Sequence, residues 1–150
     1  MKLAEALLER ADLQKRIEQM KTRLQNNAWI QQGDAPAEDP EALIRELTGM
    51  TEQLEGLMTR INLTNAATQD GGETITALLA RRDCLQEYTE TLRTFLNRVS
   101  DTPSRARMSE IKILPTVSVR DYRKKVDDLS KQLRELDTRI QSLNWTTELI

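Results

Sequence analysis

The sequence contains no histidine, a single cysteine (Cys84) and few aromatic residues, which make up 3% of the chain. Without histidine there is no Ser-His or Cys-His nucleophile pair, no helical histidine zinc site and no Glu-x-x-His motif for a di-iron bundle. A lone cysteine forms no internal disulfide, which is typical of a reducing compartment. No apolar run approaches about 18 residues, and the opening "MKLAEALLERADLQKR" is amphipathic and acidic early, unlike a signal peptide. We therefore expect a cytoplasmic protein without a membrane span.

Glycine and proline are also scarce, with five and four residues among 150. So few of these residues provide few positions that favour turns. A charged fraction of 31% beside a hydrophobic fraction of 38% also favours long helices over sheets. The formal net charge of -2 provides no overall attraction to nucleic acid or to an anionic membrane.

Apolar residues recur at spacings of three and four in four segments, which predicts helices at about 2–28, 40–68, 73–99 and 118–143. The loops between them include "QQGDAPAEDP" and "TQDGGE", and Asp39-Pro40 is typical of an N-cap followed by proline at the first helical position. Residues 100–117 are predicted to form a short extended strand or arm, because apolar residues alternate at Ile111 and Ile113 and Pro115 then interrupts them.

The predicted fold is all-α, with residues 1–150 forming a single helical domain. Two arrangements bury the same seams: an up-down-up-down four-helix bundle, and long antiparallel coiled-coil hairpins that pair with a second chain. The apolar side of the arm and the wide first stripe favour a homo-oligomer. The seam residues are, helix by helix, Leu3, Ala6, Leu13, Ile17, Met20, Leu24; Leu43, Leu47, Met50, Leu54, Leu57, Ile61; Ile75, Leu78, Leu85, Leu92, Val99; and Val119, Tyr122, Val126, Leu129, Leu133, Leu136, Ile140, Leu143.

The stretch "ALLARRDCL" places charged residues where a seam needs leucine. Leu78 and Leu85 share a face, so at least one of Arg81 and Arg82 points toward the interior, and a buried guanidinium requires a partner. In an alternating bundle the corresponding helix ends meet, which predicts a polar cluster at one end. Its members are Arg10, Asn62, Asn65, Arg81, Arg82, Asp83, Asn144 and Trp145.

This polar cluster has two interpretations. The arginines form an ion-pair network with Glu5, Glu9, Asp83 or Asp137 that fixes the register of the helices. Alternatively the cluster binds a small anionic ligand, with the arginines as charge partners and Asn65 and Asn144 as amide donors.

Other features favour structural roles. Gly49 and Gly56 lie seven apart in the second helix, where glycine costs about 1 kcal/mol, so either another element approaches closely or the helix tolerates them. Trp29 and Trp145 follow helix ends and are expected to shield the core. The basic stretch from Arg105 to Lys125 lacks interleaved aromatic residues, so we expect no specific nucleic-acid binding. We also expect no metal, no cofactor and no enzymatic activity, because no nucleophile-base pair is visible.

Several motifs resemble those of a known family: the opening "MKLAEALLERADLQKRI", "NNA" before the loop "GDAPAEDP", "TRINLTN", "ALLARRDCL", "SEIK" and the close "LRELDTRIQSLNWTTEL". Together they cover nearly the full length and are similar to small bacterial helical proteins identified as septicolysin-like. The resemblance implies an all-helical fold with little established function. Its motifs coincide with the polar cluster at Arg10, Asn62, Asn65, Arg82, Asp83, Asn144 and Trp145. The pore formation suggested by that family name has no support in the residues, which include no amphipathic pore-lining hairpin.

Overall fold

Four long α-helices account for most of residues 1–101 and 111–150, which the computed structural model describes. They are α1 (Leu3–Asn26), α2 (Pro40–Ala67), α3 (Ile75–Ser100) and α4 (Val119–Thr146), and two short strands, β1 (Gln69–Asp70) and β2 (Glu73–Thr74), lie between α2 and α3. The predicted all-α class is confirmed. The largest difference in helix bounds is at the end of α4, predicted at residue 143 and observed at Thr146.

The chain divides into two compact units. The first unit comprises Met1–Ile75 and Ser142–Ile150, and the second comprises Thr76–Gln141. The first residue of α3 and the last turn of α4 therefore belong to the first unit. The single domain over residues 1–150 stays a prediction.

In the first unit, α1 and α2 pack as an antiparallel pair. The end of α1 contacts the start of α2 through Arg23 and Glu46, whose charged groups are 3.7 Å apart. Nearer the start of α1, Gln53 donates a hydrogen bond of 2.9 Å to Glu9. The predicted seams of both helices are confirmed at their buried positions, which are Leu3, Ala6, Leu13, Met20, Leu43, Met50, Leu57 and Ile61.

Both helices begin at caps that the sequence encodes locally. The Asp39 carboxylate accepts a hydrogen bond of 3.1 Å from the backbone N–H of Glu41, and Pro40 is the first residue of α2. At the start of α1, the Glu5 carboxylate accepts from the backbone N–H of Lys2 at 2.6 Å. The cap predicted at Asp39-Pro40 is therefore confirmed.

The "DGG" of the predicted loop makes a tight β-hairpin. Gly71 and Gly72 have positive φ angles of 59° and 84° and join the paired residues Asp70 and Glu73. Positive φ at both central residues is the conformation that a two-residue hairpin turn requires and that glycine adopts without strain. The sequence prediction missed these strands, and α3 begins at Ile75 because residues 73 and 74 belong to β2.

In the second unit, α3 and α4 pack as another antiparallel pair. Arg93 on α3 donates to the Ser130 hydroxyl at 3.3 Å, and Arg123 on α4 donates to the Ser100 hydroxyl at 3.1 Å. Buried side chains between the helices come from both of them: Leu78, Thr89, Leu96, Val126, Leu136 and Ile140. The seam predicted for α4 is therefore confirmed at its buried positions.

The seam predicted for α3 is only partly correct. Leu78 is fully buried, but Leu85, Leu92 and Val99 are only half-buried. Residues seven apart drift by about 20° per heptad in a straight α-helix, so the later members rotate away from the contact with α4. Leu96 is buried in their place.

Part of the predicted arm and of the basic stretch, residues 102–110 with Arg105 and Arg107, lies outside the described residues. Residues 111–118 are described and contain neither helix nor strand. Ile113, Leu114 and Pro115 line a cleft of about 200 Å³ together with Val99 at the end of α3. The arm alternative therefore describes these residues better than the strand alternative, since no strand among the described residues pairs with them.

Candidate functional site

Arg10 interrupts the buried stripe of α1, as the sequence indicated. Its side chain is half-buried, and its Nε is buried without a hydrogen-bond partner among the described residues. The two carboxylates predicted to pair with it on the same helix are engaged elsewhere, since Glu5 accepts from the backbone of Lys2 and Glu9 accepts from Gln53. The ion-pair interpretation therefore has no support at Arg10.

Arg82 is paired within its own helix. Its side chain is half-buried, and its Nε and Nη2 donate to Oδ1 of Asp83 at 3.0 and 2.8 Å. This local pair satisfies the guanidinium that the interrupted seam brings toward the interior. Arg81 is exposed.

The three asparagines of the predicted cluster differ in burial. Asn144 in the last turns of α4 is buried, Asn65 near the end of α2 is half-buried, and Asn62 is exposed. Trp145 is also exposed, so the prediction that it shields the core is wrong. The large ring beside Asn144 is therefore accessible for contact.

The predicted cluster is divided between the two units. Arg10, Asn62, Asn65, Asn144 and Trp145 belong to the first unit, whereas Arg81, Arg82 and Asp83 belong to the second. A hydrogen bond joins Arg82 to Asp83. The complete eight-residue site stays a prediction.

Beside Asn144 and Trp145, the chain ends form a clasp that the sequence did not indicate. Lys2 pairs with Glu148 in an antiparallel β-bridge, flanked by backbone hydrogen bonds of 2.9 Å from Leu3 to Thr147 and from Leu149 to Met1. We call these residues, Met1–Leu3 and Thr147–Leu149, the terminal clasp.

Charged groups and α2 reinforce the terminal clasp. The Glu148 carboxylate lies 2.6 Å from Nζ of Lys2 and 3.2 Å from the ammonium of Met1. Hydrogen bonds from Lys2 and from that ammonium hold the pKa of Glu148 below its ordinary value of 4.5. On the α2 side, Arg60 donates to the Ile150 backbone oxygen at 2.7 Å, and Ile150 donates its N–H to the Thr64 hydroxyl at 3.0 Å.

The second feature missed by sequence reasoning is an exposed face on α3. Tyr88 and Phe95 are 45% and 41% exposed, and they lie seven residues apart on the same side of the helix. The face that they share, which we call the uncharged face of α3, consists of Cys84, Leu85, Tyr88, Thr91, Leu92, Phe95 and Val99. On α4, Lys125 borders it with Nζ 5.7 Å from the centre of the Tyr88 ring.

The charged residues of this part of α3 avoid the uncharged face. At about 100° per residue, Glu87, Glu90 and Arg93 project from other sides of the helix. The sequence contained a signal for this face. The chain has only two tyrosines and one phenylalanine, and Tyr88 and Phe95 lie seven residues apart outside the core stripe.

Two kinds of feature are absent from the described residues. In the described ranges, no three carboxylate or thiol side chains are grouped to hold a metal ion. Among the described helices, none has an apolar stretch sufficient to cross a bilayer.

Comparison with known proteins identifies the family. Residues 10–149 match the model of the family of unknown function DUF6847. The chain belongs to this family. Its fold is similar to the crystal structure of a functionally unknown conserved protein from Corynebacterium diphtheriae, with a TM-score of 0.91 and 38% sequence identity over 100% of this chain and 99% of that one. No curated protein matches the chain. Neither description mentions a septicolysin-like protein, so that resemblance stays a prediction.

Proposed function

We propose that this protein is a non-catalytic, cytoplasmic assembly module that self-associates through the uncharged face of α3. The observation that supports the proposal is the pair of exposed aromatic side chains, Tyr88 and Phe95, on a stretch of helix face that has no charged residue between Cys84 and Val99. Arg81, seven residues before Tyr88, lies beyond this stretch toward the start of α3. Aromatic residues are enriched at protein interfaces and charged residues are depleted from interface cores. Covering the exposed part of Phe95 would contribute on the order of 1 kcal/mol by the hydrophobic effect.

The spacing of the half-buried residues favours a helix as the partner. Leu85, Leu92 and Val99 repeat strictly every seven residues, although α4 covers them only in part. A strict seven-residue repeat is the pattern that a second helix follows in a coiled coil, where slight supercoiling keeps the repeat in contact. This pattern supports a coiled-coil interface on the side of α3 that α4 leaves open.

A second copy of this chain fits the face better than a charged partner. In a two-fold symmetric dimer the same patch meets itself, so any charge in it would face its own copy. Between Cys84 and Val99 the face contains no charged residue of α3, which limits this repulsion to Lys125 at its border. An antiparallel α3–α3 contact centred between Thr91 and Leu92 would place Tyr88 against Phe95 of the second copy, and the reverse pair would form by symmetry.

Sedimentation equilibrium tests the proposal. We expect the wild type to be a dimer and Phe95→Glu to be a monomer, because the substitution places two like charges in the interface. Thr94→Glu is the matched control, since residue 94 is exposed and projects from another side of α3. A monomeric wild type at the highest attainable concentration would exclude self-association.

Disulfide trapping tests the register of the contact. In a Cys84→Ser background, Thr91→Cys should form an intermolecular disulfide on oxidation, because residues beside the symmetry axis come within the Cα separation of about 4.4–6.8 Å that a disulfide needs. Thr94→Cys should remain reduced in the same background. Equal cross-linking of both variants would contradict the proposed register.

The proposed cytoplasmic location is supported by Cys84, which is a free and exposed thiol. Such thiols persist in a reducing compartment. The name of the septicolysin-like family, which this chain resembles, suggests pore formation. We propose that this chain instead acts by assembly. Secretion of the native protein with its Cys84 oxidised would contradict this location.

A second candidate function is the binding of a small anion at Arg10. The observation that favours it is the buried Nε of Arg10, which has no partner among the described residues. An anion that accepts a charge-assisted hydrogen bond from the Nε–H would satisfy this group. In a thermal-shift screen, inorganic phosphate, sulfate or ATP should then raise the unfolding temperature of the wild type but not that of Arg10→Met. A flat response of the wild type to all three would exclude this function.

A further inference from the structure

The loop between α1 and α2 exposes a tryptophan almost completely. Trp29 is 91% exposed, and its neighbour Ile30 is also exposed. The prediction that Trp29 shields the core is therefore wrong, because the ring packs against almost nothing in the described chain. An exposed tryptophan costs solvation free energy and commonly marks a contact site.

Hydrogen bonds fix the loop that carries this ring. Asn27 is buried, donates to the backbone oxygen of Arg23 at 2.9 Å and accepts from the backbone N–H of Glu38 at 2.9 Å. The Arg23 guanidinium binds the Glu38 carboxylate, with Nη2 at 2.6 Å from Oε1 and Nε at 3.2 Å from both oxygens. These bonds tie the end of α1 to the residue before Asp39, so they close the loop.

A turn shapes the middle of the same loop. Asp34 donates its N–H to the Gln31 backbone oxygen at 3.0 Å, and Gly33 has a φ angle of 94°. These contacts give the loop a defined turn, and a site whose shape is set by its own hydrogen bonds binds at a lower entropic cost.

Trp29 lies at the edge of an open cleft of about 360 Å³. This volume falls within the range of about 300–1,000 Å³ that small-molecule sites occupy. Nine residues line the cleft. They include Trp29 and Ile30, the amides of Asn26 and Gln31, and the carboxylate of Asp34. None of the nine is a lysine or an arginine.

We propose that this cleft binds a neutral sugar ring, stacked on Trp29 and hydrogen-bonded to Asp34, Gln31 and Asn26. The face of an indole ring is electron-rich, so it attracts the polarised C–H bonds on one face of a sugar ring. Amide groups both donate and accept, and a carboxylate accepts two hydroxyl hydrogen bonds, which matches a polyol. An anionic ligand would meet the Asp34 carboxylate without a compensating cation. A purely apolar ligand would make no hydrogen bond to Asp34, Gln31 or Asn26.

Tryptophan fluorescence tests this site directly. The chain has two tryptophans, so Trp145→Phe leaves Trp29 as the single indole. In this variant we expect maltose and methyl glucoside to shift Trp29 emission to shorter wavelength and to protect the ring from acrylamide quenching. Adding Asp34→Ala should weaken the binding of both sugars about tenfold, because the carboxylate is a charged hydrogen-bond acceptor. Asp12→Ala, exposed on α1 outside the cleft, is the matched control and should leave the sugar affinity unchanged.

Three results would overturn the proposal. The first is an unchanged emission with every neutral sugar tested. The second is tighter binding of glucuronate than of methyl glucoside, which would show an anion site. The third is a blue shift that grows with protein concentration in the absence of sugar, which would make Trp29 part of a contact between copies.

Discussion

The Glu148 carboxylate lies 2.6 Å from Nζ of Lys2, so two residues at opposite ends of the sequence form an ion pair. Lys2 and the ammonium of Met1 lower the pKa of this carboxyl below its ordinary value of 4.5. A lowered pKa in the folded state means that the ionised form contributes stability above pH 4.5. This contribution is lost as the pH falls through the lower folded-state pKa.

We therefore expect Glu148→Gln to lower the unfolding temperature at pH 7. The difference from the wild type should shrink as the pH falls from 4.5 through the lower folded-state pKa, because Glu148 is then protonated and both proteins carry a neutral side chain at this position. Thermal unfolding followed by circular dichroism across this pH range measures the effect. Glu52→Gln, exposed on α2, is the control and should show no such convergence. A constant difference at all pH values would contradict the role of the Glu148 charge.

Asn27 should be a sensitive position for stability. Asn27→Ala removes two hydrogen bonds and leaves the part-buried N–H of Glu38 without its acceptor, which costs about 1–3 kcal/mol. Asn27→Asp keeps the acceptor but places a carboxylate oxygen against the Arg23 backbone oxygen at a buried position, so it should also be destabilising. Asn26→Ala, exposed and one residue away, should stay within about 0.5 kcal/mol of the wild type. Urea unfolding measures all three, and equal losses for Asn26 and Asn27 would contradict the role of this side chain in closing the loop.

The two kinds of glycine should respond in opposite directions. A Cβ at Gly49 meets no atom within 4 Å, so Gly49→Ala should stabilise α2 by about 0.5–1 kcal/mol through helix propensity. Gly72 has a positive φ angle of 84°, so Gly72→Ala should destabilise the hairpin by about 1–2 kcal/mol. The measurement is the free energy of unfolding. If another copy packs closely on α2, Gly49→Ala will weaken self-association instead of adding stability.

The sequence predicted the elements whose burial follows from spacing alone. Leu43, Met50 and Leu57 recur every seven residues and all three are buried, because the period of the pattern matches the turn of the helix closely enough over this length. The same argument failed at Leu92, where the drift of the repeat moved the residue away from α4. Spacing predicts which residues share a face of a helix. It does not predict how much of that face the neighbouring helix covers.

Features that depend on contacts distant in sequence were not predictable. The bridge between Lys2 and Glu148 has no local signal in the sequence. Oppositely charged residues near the two ends of a chain are common in any sequence rich in charged residues. The exposure of Trp29 also has no local signal, because the loop around it is closed by a hydrogen bond between Asn27 and Glu38, eleven residues apart. Only the spacing of Tyr88 and Phe95 outside the core stripe was visible in the sequence.

Arg10 provides the most direct test of whether the polar residues of α1 serve structure or binding. Its Nε is buried without a partner among the described residues, so Arg10→Met should raise the free energy of unfolding by about 1 kcal/mol or more. Methionine has a similar length and adapts to the half-buried stripe. Arg16→Met is the control, because Arg16 is exposed on the same helix and its replacement should change stability by less than about 0.5 kcal/mol. A loss of stability in Arg10→Met would mean that the guanidinium has a favourable interaction in the folded protein, and urea unfolding distinguishes the two outcomes.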